Sequence, residues 1–140
     1  MLLVRPTGRN AALHKPVAVS SVRLGDPRAL VNGFVEYGGY ALHTKTEPFA
    51  WVRVDLESPR PLSEIRLYAR GDGYYDLPSA RIDVGLSEDG LTYRRAGRCA
   101  DIFTQLDPCV IDATGEPARY VLVSNASALV LSEIEAIEAP

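Results

Sequence analysis

Apolar residues in this chain recur at every second position far more often than at every third or fourth, which is the period of a pleated strand. In Trp51-Val52-Arg53-Val54-Asp55-Leu56, the side chains of Val52, Val54 and Leu56 fall on one side, with Arg53 and Asp55 on the other. Ile65 and Leu67 repeat the alternation, as do Ile82, Val84 and Leu86, then Tyr120-Val121-Leu122-Val123, then Ile134-Glu135-Ala136-Ile137. Between these runs lie clusters of the residues that turns prefer: Glu57-Ser58-Pro59-Arg60-Pro61, Gly71-Asp72-Gly73, Glu88-Asp89-Gly90 and Gly115-Glu116-Pro117. Short strands about a dozen residues apart, punctuated in this way, predict an all-β sandwich. The single helix candidate is about one turn long and spans Asp26 to Asn32. Trp51 is expected in the core.

Composition narrows the picture. The chain has 140 residues, 46% hydrophobic and 24% charged, which suits one soluble domain with a core of its own. Residues 1–8 read as a leader and 9–140 as a single domain whose ordered start lies near Arg9 or Asn10. No repeat, linker or low-complexity stretch divides it. No apolar run approaches the roughly 20 residues of a membrane span. Met1-Leu2-Leu3-Val4 is too short for a signal-peptide core before Arg5 and Pro6. A net charge of −3 gives no field for gathering nucleic acid. Ten prolines, eleven glycines and one methionine argue against a helical bundle. Cys99 and Cys109 either bridge a hairpin, which suits an oxidising compartment, or serve as two small buried hydrophobes.

Several phrases, in order, resemble the discoidin or factor V/VIII type C domains. Asn10-Ala11-Ala12-Leu13-His14-Lys15-Pro16-Val17-Ala18-Val19-Ser20-Ser21 is similar to their opening strand. Ala29-Leu30-Val31-Asn32-Gly33 resembles a characteristic loop of theirs, and His43-Thr44-Lys45-Thr46-Glu47-Pro48 follows. Then come Trp51 to Leu56, Ile65-Arg66-Leu67-Tyr68, Leu86-Ser87-Glu88-Asp89-Gly90, and closing strands from Ala118 to Leu122 and Leu131 to Glu135. The resemblance covers nearly the whole chain. It implies a galactose-binding-like jelly-roll β-sandwich of about eight antiparallel strands in two sheets.

One branch of that superfamily, the F-type fucose-binding lectins, looks closest. Its sugar motif is a His, 26 intervening residues, Arg-x-Asp, four residues, and a second Arg or Lys. Here His43 is followed by 26 residues and then Arg70-Gly71-Asp72. The second basic position holds Leu77, and the paired cysteines frequent after the Asp are replaced by Gly73 and Tyr74.

The residue types explain the motif. A His nitrogen and an Arg guanidinium together can fix a sugar hydroxyl and its neighbour, because a hydroxyl both donates and accepts. Arg70 supplies planar forked donors, and Asp72 could hold that fork in place. Tyr74 and Tyr75, with Tyr37 or Tyr40 from an earlier loop, could cover the apolar face of a sugar ring. Loss of the second Arg removes donors worth on the order of 1.5–3 kcal/mol. Arg81, four positions beyond Leu77, is a substitute only if its register allows. Against the sugar reading, His43 could simply bond a loop carbonyl. Arg70-Gly71-Asp72 also spells an integrin tripeptide, which turn composition explains.

The same resemblance implies a structural Ca²⁺ between the Asn32 loop and the closing strand. Its ligands would be the side chains of Asn32 and Glu133 and the carbonyls of Ala29, Phe34 and Tyr40. A hard cation wants six to eight oxygens, and Asn32 in place of the family's usual Asp leaves one formal negative charge.

For catalysis the sequence offers no Gly-x-Ser-x-Gly, no His-x-x-x-His and no phosphate loop. The carboxylates Asp72 and Asp76 fit a solvated loop better than a glycosidase pair. The expectation is therefore a non-catalytic carbohydrate-binding module or lectin that takes a fucose- or galactose-type glycan. The alternative is an accessory or protein- or membrane-contact discoidin domain, whose apolar loop residues would be Leu77, Phe34 and Phe49. Weak single-site lectins gain avidity by clustering, so a homo-oligomer or an appended enzyme domain is the expected setting. A sugar-binding role suggests the cell exterior.

Overall fold

In a computed structural model, residues 8–34, 40–70, 81–99 and 103–140 are described here. Nine strands form within them: β1 (Val17–Val19), β2 (Leu24–Gly25), β3 (Leu42–His43), β4 (Ala50–Ala69), β5 (Ile82–Ser87), β6 (Arg94–Cys99), β7 (Cys109–Asp112), β8 (Pro117–Asn125) and β9 (Val130–Glu138). All pairings are antiparallel. A 3₁₀ turn, Pro27–Val31, occupies the one helical candidate; the Asp26 carboxylate caps it by accepting from the Arg28 amide at 2.9 Å.

The period-two pattern produces the layers. Strand β4 belongs to two sheets. Its first half lies between β1 and β8, followed by β5 and β6. Its second half lies between β9 and β7, with β3 and β2 beyond β9. Val52, Val54, Leu56, Ile82, Val84, Val121 and Val123 from the first sheet share one buried cluster with Ile65, Leu67, Ile111, Ile134 and Ala136 from the second. Two sheets closing one apolar core between them make the expected sandwich. Fully burying each such aliphatic side chain stabilises by about 1.5–3 kcal/mol relative to leaving it in water.

Two sequence expectations are corrected. Glu57-Ser58-Pro59-Arg60-Pro61 is no turn between strands but lies inside β4, where the register with β8 slips between Asp55 and Arg60. Glu57 there takes φ +72°, and the irregularity carries the strand from one sheet to the other. Trp51 is not in the core. It alternates with buried Ala50 and Val52 and lies half-buried on the outer face, in line with Arg53 and Asp55. On that face Arg119 grips the Asp55 carboxylate at 2.9 and 3.1 Å and holds it below the usual carboxylate range.

Cys99 and Cys109 are bonded to each other. The bridge does not staple two neighbours of one sheet. It joins the end of β6, an edge of the first sheet, to the start of β7, an edge of the second. The edges approach closely at Gly97, where a Cβ would meet Ile111 Cγ2 at 2.9 Å. Among the described residues, no helix is long and apolar enough to cross a membrane.

Candidate functional site

Register brings the motif residues to one end of the second sheet. His43 closes β3 opposite Val130, and Ala69, the last residue of β4, lies opposite Leu131. Both strands flank the start of β9, so His43 and Arg70 leave the sheet at the same end, on either side of it.

Tyr40 stands between them. Its ring meets the His43 imidazole edge to face, with centroids 5.4 Å apart, and the Arg70 guanidinium lies 5.0 Å from the same ring. A guanidinium over an aromatic face is attracted by the ring quadrupole, and the contact restricts a long, otherwise flexible side chain. All three residues are half-buried, so solvent reaches them.

The hydrogen bonds around His43 set its chemistry. Nδ1 lies 2.6 Å from the Thr44 carbonyl. A carbonyl only accepts, so Nδ1 carries the proton and Nε2 presents a lone pair. The expectation that His43 bonds a loop carbonyl therefore holds, and that bond is what makes the other nitrogen an acceptor. Thr44 is itself fully buried and fixed: its amide donates to the Leu129 carbonyl at 2.9 Å, and its hydroxyl accepts from the Leu129 amide at 2.9 Å. The loop beyond is tied down as well. Glu47 accepts from the hydroxyls of Ser20 and Ser21 and donates its amide to the Ser127 carbonyl.

Below Arg70 the β4–β9 ladder skips one residue. Tyr68 pairs with Glu133 and Ala69 with Leu131, so Ser132 is the extra residue of a bulge. Ser132 is fully buried; its hydroxyl donates to the Ala69 carbonyl at 2.8 Å and accepts from Gln105 Nε2 at 3.1 Å. Sequence reasoning missed Thr44, Ser132 and Gln105. Only the adjacency of Thr44 to His43 was visible along the chain.

The expected cation donors are partly assembled. Glu133 is 1% exposed, and its Oε2 accepts from the Gly33 amide at 2.7 Å. Gly33 has φ +86°, which suits a glycine, and the turn sends its amide toward the carboxylate. Asn32 Oδ1 accepts from the Phe34 amide at 2.9 Å. The Asn32 loop and the closing strand are thus in contact, and the two placed oxygens, Glu133 Oε2 and Asn32 Oδ1, each accept a backbone N–H of that loop. No group of three or more His, Cys, Asp or Glu gathers among the described residues. Tyr40, expected through its carbonyl, contributes its ring to the His43–Arg70 pair. Asp72, Tyr74, Tyr75 and Tyr37 lie outside the described residues, as does Leu77.

Comparison with known proteins agrees with this architecture. No family model matches the chain, and no curated protein does. Solved structures do. A fucose-binding module of Streptococcus pneumoniae superposes with a TM-score of 0.83 at 23% identity, over 98% of this chain and 100% of that one. The lectin domain of lectinolysin, solved with Lewis B antigen, gives 0.78 at 28% identity over 96% and 99%. A fucolectin from striped bass (Morone saxatilis) serum gives 0.81 at 23% identity, over 94% of this chain and 49% of that one. The galactose-binding-like sandwich expected from the sequence is the fold these proteins share. None of the comparisons supports the discoidin family by a family model.

Proposed function

We propose that this chain is a non-catalytic carbohydrate-binding module, and that His43, Tyr40 and Arg70 are its sugar contacts. The observation that carries the proposal is the His43 imidazole, bonded through Nδ1 to the Thr44 carbonyl, sharing the Tyr40 ring with the Arg70 guanidinium. Nε2 accepts from a sugar hydroxyl while the Arg70 N–H groups donate to neighbouring oxygens, which reads two adjacent positions on a pyranose. Preorganisation by Thr44 and Tyr40 reduces the ordering cost of binding. Asp72, Tyr74, Tyr75 and Tyr37 belong to the proposed site on the sequence motif alone, as a carboxylate able to pair with Arg70 and as aromatic residues.

The similarity to a lectin domain solved with Lewis B antigen, together with the His43–Arg70 spacing, supports a fucosylated glycan as the ligand class. Leu77 in place of a second basic residue makes the interaction weak. Multivalent display, by self-association or attachment to an enzyme domain, is the setting in which a single weak site is useful.

A Ca²⁺ held by Glu133 and Asn32, with the carbonyls of Ala29, Phe34 and Tyr40, would brace the loop next to the site and supply no chemistry to the sugar. With about 5 mM Ca²⁺, near the weak end of extracellular sites, thermal stability should rise by a few degrees and fall back with EDTA. An unchanged melting curve would remove the cation from the account.

The decisive experiment is a glycan array of wild type, His43→Ala and Arg70→Ala. Fucosylated glycans should bind the wild type, and either substitution should reduce the signal by about tenfold to a hundredfold with an unchanged melting temperature. Wild-type silence on every glycan would overturn the proposal in favour of an accessory domain.

A further inference from the structure

The loop closed by the Cys99–Cys109 bridge reaches across to the base of Arg70. Phe103 is anchored in the core, and Thr104 folds the following residues into a tight turn, its hydroxyl accepting from the Leu106 and Asp107 amides. The turn presents Gln105, 7% exposed, to the bulge at Ser132. The amide orientation follows from the partners. The Ala69 carbonyl can only accept, so the one hydroxyl hydrogen of Ser132 goes to it. Ser132 must then accept from Gln105, which therefore presents its nitrogen.

We propose that Gln105 is a positioning residue of the sugar site: through Ser132 it fixes the Ala69 carbonyl, and with it the direction in which the chain leaves β4 as Arg70. The inference deepens the glycan reading and rests on it. The direction of each bond matters, because a donor at position 105 commits the serine hydrogen to Ala69, whereas an acceptor there competes for it. Arg70 must lie over Tyr40 to stand beside His43. Since Ala69 is the residue before it, a freed Ala69 peptide would let the guanidinium drift from that place.

The test exploits this directionality. Gln105→Glu places an acceptor where its carboxyl is ionised and, once acid protonates that carboxyl, a donor again. Gln105→Leu offers neither. Affinity for the best array glycan is measured for both variants as a ratio to wild type at each pH. Both should bind about tenfold more weakly at pH 7. Gln105→Glu alone should recover toward the wild-type ratio on acidification.

Wild-type affinity in both variants overturns the proposal, and so does an equal loss in both that persists at low pH. If the wild type binds no glycan, the functional reading fails on its own. The relay is then read from the Arg70 amide resonance in solution NMR. A shift in Gln105→Glu at pH 7 that reverses on acidification upholds it, and an unmoved resonance overturns it.

Discussion

Strands β4 and β9 run side by side along the second sheet, and their ladder slips at both ends. At one end the extra residue is Ser63 on β4, at the other Ser132 on β9. In each case the serine hydroxyl reaches over to a carbonyl of the partner strand: Ser63 to Ile137 at 3.2 Å, Ser132 to Ala69 at 2.8 Å. The chemistry is the same and the setting differs. Ser63 is half-buried, and among the described residues no side-chain donor from another loop bonds its hydroxyl, so water can replace what it gives. Ser132 is sealed from solvent and held from behind by Gln105 on the disulfide-closed loop. A bulge of the first kind mends a ladder. A bulge of the second kind sets a direction, and the residue leaving it is Arg70.

The contrast can be broken most forcefully at the bridge. Replacing Cys99 and Cys109 together by Ser frees an 11-residue loop and removes about 3 kcal/mol of unfolded-state restriction, so the melting temperature should fall by about 10 °C. Glycan affinity should fall as well, because the same loop carries Gln105. Calorimetry and a binding isotherm on the double variant check both effects.

Next in size is Ser132→Ala, which strands a buried carbonyl and a buried amide. It should cost about 1–3 kcal/mol, whereas Ser63→Ala at the wetter end should cost under about 1 kcal/mol. Equal costs in denaturant titrations of the two variants would erase the distinction between the bulges.

The smallest effect appears in alkali. Tyr68, beside the Ser132 bulge, donates to Glu135 at 2.6 Å, and burial, then that bond, push its hydroxyl up to about 12. The folded value lies above the ordinary 10.0, so the folded state favours the protonated phenol. The associated stability is intact below pH 10 and is lost as pH rises through about 12. Tyr68→Phe should flatten that decline in melting temperature, which a pH series on the two proteins would show.

Much of the fold was legible along the chain because alternation is a local property. Val52, Val54 and Leu56 announce which side of their strand is buried, and all three are fully buried. The two failures, Trp51 and the Glu57–Pro61 segment, have one cause. Bulk and turn composition suggested core and loop, but strand parity placed Trp51 outward, and the bulge absorbed the turn-forming residues within a continuous strand. At the candidate site, the spacing from His43 to Arg70 was readable. The insertion of Tyr40 between them was not, since it depends on how the loop returns to β3.

The sequence by itself determined the strand period and the one-turn helix, and it marked His43 and Arg70 as the candidate pair. These follow from side-chain alternation, capping and simple spacing, all of which act within a few residues or along one strand. Tertiary structure alone decided that Cys99 and Cys109 join edges of different sheets and that Gln105 stands behind Ser132. It also decided that Ser132 is the residue the ladder skips. One skipped residue reverses which side every later side chain faces, and whether a strand skips is settled by hydrogen bonds to chain far away in sequence. The direction of Arg70 belongs to that second group: its identity is written in the chain, and its aim is set by the bulge beneath it.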